Sequence, residues 1–145
     1  MEKQVLLSIR GQQTFEGVAE PEVTELMTEG TMTTGEGRVT LTYQESELTG
    51  LEGTQTTIQV EPGSVTILRE GEVNSQMVFQ QGRKHLSMYN TPYGALAMGV
   101  STRRMKVDLD DTGGSIEIDY AIEIDHAVAG QNVFQIYVKT RNIPQ

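Results

Sequence analysis

Residues 115–125 read SIEIDYAIEID. Ile116, Ile118, Tyr120, Ile122 and Ile124 share one parity, and Glu117, Asp119, Glu123 and Asp125 share the other. On a helix the five apolar residues would scatter around the cylinder. On a strand, where successive side chains alternate, they form one face. The segment therefore predicts a long strand, apolar on one side and acidic on the other.

The same alternation runs outward along the chain. RVTLTY at 38–43 sets Val39, Leu41 and Tyr43 against Thr40 and Thr42, and RMKVDLD at 104–110 sets Met105, Val107 and Leu109 against Lys106 and Asp108. Shorter runs are Val5-Leu7-Ile9, Ile58-Val60, Val65-Ile67, Met77-Phe79, Leu96-Met98-Val100 and Phe134-Ile136-Val138. Turn signals separate them: EPGS at 61–64, EGEVN at 70–74, QQGRK at 80–84, DDTGGS at 110–115 and AGQN at 129–132. Such short spacing pairs neighbours as antiparallel hairpins. AEPEVTEL at 19–26 has room for one helical turn, but Val23 and Thr24 favour a strand. MYNTPYGALAMG at 88–99 reads as the end of one strand, a turn at Thr91-Pro92-Tyr93-Gly94, and a strand with Leu96, Met98 and Val100 inward. A ligand loop carrying Tyr89 and Tyr93 is the functional alternative for that segment.

These elements predict an all-β single domain over residues 1–145, with roughly nine or ten antiparallel strands. A two-sheet sandwich and a closed barrel both satisfy the pattern. Long strands such as 115–126 favour the barrel, which also leaves no exposed edges.

Composition narrows the functions. The chain has 145 residues and no Cys, which excludes disulfides, thiolate nucleophiles and cysteine-bound metal clusters. The net charge of -9 repels phosphate backbones, so no nucleic-acid partner is expected. No long apolar run is seen, which predicts no membrane span and a cytoplasmic protein. His85 and His126 stand too far apart for zinc-ligand spacing. Asp108, Asp110, Gly113 and Asp119 approach a calcium-loop spacing, but Thr112 and Asp119 fill positions that need other ligands, and strands flank the segment. No metal and no cofactor are expected. No nucleophile–base motif is visible, so an enzyme ranks last.

In chain order, MTEG (27–30), TYQESELTGLEGTQTTIQV (42–60), ILREG (67–71), MYNTPYG (88–94), STRRM (101–105) and GGSIEIDYAIEI (113–124) resemble the YwiB-like family of bacterial proteins. The resemblance covers nearly the whole chain. It implies a calycin-like, lipocalin-type closed antiparallel β-barrel of about 8–10 strands, and it implies no activity, substrate or catalytic residue. Gln44 stands where the resemblance leads one to expect an acid, on the outward parity.

Three polar residues lie in phase with apolar runs. Glu45 ends Val39-Leu41-Tyr43, Arg69 ends Val65-Ile67, and Thr102 ends Met98-Val100. A buried arginine needs a partner, and Glu45 has the matching parity. Two readings follow: an anion clamp inside a ligand cavity, or a structural plug of the kind that often closes one end of calycin-like barrels. Leu41, Ile67, Phe79, Met98, Met105, Ile118, Tyr120 and Ile122 are expected to line the interior, with Tyr43 and Arg69 orienting a polar head group. The candidate binding set is Tyr43, Glu45, Arg69, Tyr89, Tyr93, Thr102 and Tyr120. The expected function is a barrel that binds a small apolar or amphipathic molecule. The alternative is a protein-interaction module with a filled interior.

Overall fold

Alternation at period 2 becomes ten strands in the computed structural model, which describes residues 2–15, 20–45, 52–71, 74–91, 94–124 and 127–140. They are β1 (Glu2–Phe15), β2 (Glu22–Gly35), β3 (Arg38–Gln44), β4 (Thr54–Glu61), β5 (Ser64–Gly71), β6 (Asn74–Phe79), β7 (Lys84–Thr91), β8 (Gly94–Asp110), β9 (Gly113–Ile124) and β10 (Ala127–Thr140). Each strand pairs antiparallel with its neighbours in the chain, and β1 pairs with β10 to close a barrel. Between β6 and β7 the ladder is short, with Asn74 opposite Asn90 and Ser75 opposite Tyr89.

The up-and-down order puts tight turns at one end. Glu36 and Gly37, both at positive φ (55° and 74°), join β2 to β3, the geometry a two-residue hairpin requires. Pro62-Gly63 joins β4 to β5 where EPGS predicted a turn. At Asp111-Thr112 the Asp110 carboxylate accepts the Thr112 amide at 2.8 Å and its hydroxyl at 2.5 Å. Those bonds hold Asp110 below the usual carboxylate range and make the segment a hairpin tip. The longer connections, from Phe15 to Glu22 and from Gln44 to Thr54, lie at the other end, called here the open end.

Two bulges correct the sequence reading. The runs ending at Val100 and beginning at Met105 are one 17-residue strand, β8, whose register shifts between Thr102 and Arg104. One extra residue explains why the inward parity changes from even to odd along that strand. The β6–β7 loop braces the bulge: the Gly82 amide donates to the Thr102 carbonyl at 2.9 Å, and the Thr102 amide donates to Arg83 at 3.1 Å. AGQN, read as a turn, instead lies within β10, whose register shifts between Val128 and Gly130. Gly130 flanks this bulge, which bends a strand without ending it.

Inside, Val5, Leu7, Met32, Leu41, Ile58, Val65, Phe79, Val100, Ile116, Ile118 and Ile136 are fully buried in one continuous core. Each such side chain stabilises the fold by about 1.5–3 kcal/mol relative to exposure. The Phe79 ring meets the Tyr120 ring edge-on at 4.8 Å and 63°. Outside, the register opposes Arg104 to Asp119 and Lys106 to Glu117, and Arg10 pairs with Glu25 at 3.5 Å. Of the residues expected to line the interior, Leu41, Phe79 and Ile118 make solid core, while Met98, Tyr120 and Ile122 border a cavity near the open end.

Candidate functional site

Lateral pairing carries polar residues into the interior as two rows. On one side Tyr43 lies opposite Thr56, Thr56 opposite Arg69, and Arg69 opposite Ser75. On the other, Thr102 lies opposite Tyr120, Tyr120 opposite Asn132, and Asn132 opposite Gln13. Gly30 on β2, opposite Tyr43, sits where the β2–β3 ladder leaves no space for a side chain. A Cβ there would sit 2.5 Å from the Thr42 carbonyl oxygen and 3.3 Å from the Tyr43 Cβ.

Glu45 anchors the first row. Its Oε1 accepts the Thr56 hydroxyl at 2.7 Å in a buried bond. Arg69 Nε stands 4.0 Å from the same oxygen, with the two side chains 17% and 2% exposed. That distance balances charge, but it is too long for a hydrogen bond. Arg69 Nε, Ser75 Oγ and Thr102 Oγ1 are buried with no hydrogen-bond partner among the described residues. An unsatisfied buried group of this kind costs about 1–3 kcal/mol, and two of the three, Arg69 and Ser75, lie opposite each other on the first row.

The two tyrosines stay protonated at neutral pH. Burial pushes the Tyr43 phenol far above its ordinary value; the Glu45 charge and its hydrogen bond to that carboxylate act the same way, and Arg69 opposes them. Burial also raises Tyr120, against the charge of Arg69 and a hydrogen bond to Asn132. Arg69 is thus felt by both rows.

Beside Arg69 opens a cavity of about 390 Å³. Its polar side is made by Arg69, Tyr120 and Asn132, its apolar side by Met77, Met98, Ile122 and Phe134, and Gln12, Gln13, Glu22 and Thr24 also border it. The volume falls in the range of small-molecule sites, and its lining mixes polar and apolar side chains in comparable share.

Of the residues singled out in the sequence, Tyr43 and Glu45 gather with Arg69, and only Arg69 and Tyr120 border the cavity. Thr102 is buried in register with Tyr120. Tyr89 has its backbone opposite Ser75, and its side chain lies outside the described residues, as does the whole of Tyr93. Met105 is only partly buried and packs against the core away from the cavity lining. Thr56, Ser75 and Asn132 were missed. Each is a polar residue in phase with an apolar run, the same signal that marked Thr102. His85 bonds Gln80 at 2.7 Å near the hairpin end; His126 lies outside the described residues.

Comparison with known proteins adds three findings. Residues 7–136 match the domain of unknown function DUF1934. The uncharacterized beta-barrel protein YwiB of Bacillus subtilis (strain 168) is 27% identical over 124 residues, covering 86% of each chain. The crystal structure of the ywiB protein from Bacillus subtilis superposes with a TM-score of 0.85 at 25% identity, covering 97% of this chain and 94% of that one.

Proposed function

This chain belongs to the DUF1934 family of YwiB-like β-barrels, and on that footing we propose that it is a binding protein whose open-end cavity holds a small apolar or amphipathic molecule. The observation that carries the reading is Arg69. Its guanidinium is mostly buried, borders a cavity of about 390 Å³, and keeps its Nε without a hydrogen bond. A purely structural plug would be expected to close that bond. The reading places the protein among calycin-type binding barrels, acting by binding and not by catalysis, without metal, cofactor or nucleic acid.

The outward face speaks against a membrane partner, because its strands carry Glu25, Arg104, Lys106 and Glu117 outward and apolar residues inward, the inverse of a lipid-facing barrel; a cytoplasmic site of action is part of the proposal. A second reading, a protein-interaction module, draws on the tightly filled core beneath the cavity. Native mass spectrometry of freshly purified protein decides between them. A co-purifying small molecule, or a mass shift with added amphipathic molecules, is the expected result. A bare protein that takes up none of them would favour the interaction module.

A further inference from the structure

We infer that the cavity is built for a molecule with a single carboxylate on a compact apolar body, held by Arg69 together with Tyr120 and Asn132. This rests on the binding function proposed above and names its ligand class.

Arginine presents five donors in a rigid fork that matches a carboxylate. Here Glu45 does not fill that fork. It stands at 4.0 Å, and its Oε1 is already engaged by Thr56. The cluster therefore holds a cation balanced in charge whose Nε has no hydrogen-bond acceptor among the described residues. The phenol of Tyr120 and the side-chain amide of Asn132, on the facing row, supply further donors at the same cavity wall.

Charge selects among head groups. An ammonium would meet Arg69 with no free carboxylate in the cavity wall except Glu22. A phosphate dianion would place two charges beside one arginine that Glu45 already balances, within a protein of net charge -9. A single carboxylate asks for only one further bidentate contact. Met77, Met98, Ile122 and Phe134 then cover the apolar body, with two methionines to adapt to its shape.

Isothermal titration calorimetry of the full chain at pH 7 tests this with four probes of equal chain length: octanoate, 1-octanol, octylammonium and octyl phosphate. Octanoate is expected to bind one to one, at least tenfold tighter than the other three. Arg69→Met should weaken octanoate at least tenfold and leave octanol unchanged. Ile122→Trp, which fills the cavity, should abolish both. Equal affinity for octanoate and octanol overturns the inference and leaves the binding function standing. Octanoate binding that survives Ile122→Trp also overturns it, because the molecule then sits elsewhere. If no probe binds, the inference fails, and a bare native mass spectrum would then remove the binding function as well. The wild-type comparison of head groups holds even if a variant does not fold.

Discussion

Replacing Glu45 by Gln removes one charge and little else. The amide oxygen can still accept the Thr56 hydroxyl, and the shape is kept. What changes is the neighbourhood of Arg69, whose Nε is 4.0 Å from the lost charge. At an effective dielectric of 20, Coulomb's law gives about 4 kcal/mol for unit charges at that distance. Breaking a buried pair typically costs about 3–5 kcal/mol. Arg69 retains some exposure through the cavity, so the lower end applies, about 3 kcal/mol. Arg69→Met leaves the Glu45 carboxylate, 2% exposed, without its cation, so it should cost a similar amount, about 3 kcal/mol. The double variant removes both charges and should cost no more than either single variant. Urea unfolding at pH 7, followed by circular dichroism, measures all four proteins. The expected coupling is about 3 kcal/mol, with unchanged dependence on urea. Single effects that add to within about 0.5 kcal/mol would refute the pairing of these residues.

The buried phenols make alkaline stability a second probe. Tyr43 and Tyr120 are raised in the fold, and the unfolded chain keeps ordinary phenols near 10. Their contribution is complete below about pH 10 and is lost as the pH climbs through the folded values, by about 1.4 kcal/mol per pH unit for each tyrosine. Urea midpoints between pH 9 and 11 should fall, and Tyr43→Phe should flatten the fall; an unchanged slope in that variant would show that Tyr43 is not the group responsible. Gly30→Ala would drive a Cβ toward the Thr42 carbonyl and the Leu7 side chain, for a loss of about 1–3 kcal/mol. A melting temperature equal to wild type would mean that the β2–β3 ladder yields there at no cost.

Strands with clean alternation were legible in the sequence: β9 could be read residue by residue from Ile116 to Ile124. Most of β2 could not. Its inward residues Leu26, Thr28, Gly30 and Met32 mix apolar, polar and absent side chains, and at Gly30 the Thr42 carbonyl leaves no space for a Cβ. Parity also assumes an unbroken ladder, so the bulges in β8 and β10 appeared as a gap between two runs and as a turn. The pairing of Arg69 with Glu45 followed from parity alone, since both end their apolar runs at the same end of the barrel. The cavity did not. Whether a barrel interior is filled depends on tilt and on which side chains meet across it, and period-2 patterning is silent on both.

Methionine methyl groups report on the interior at known places, and they test the binding cavity directly. Met77 and Met98 line it, Met32 is fully buried in the core, and Met27 is exposed on the outer face of β2. With carbon-13-labelled methionine methyls, titrations of octanoate and of 1-octanol should move the Met77 and Met98 resonances and leave those of Met27 and Met32 in place. Saturating shifts confined to Met27, or no shift at Met77 and Met98 with either molecule, would contradict a ligand-binding cavity at the open end of this barrel.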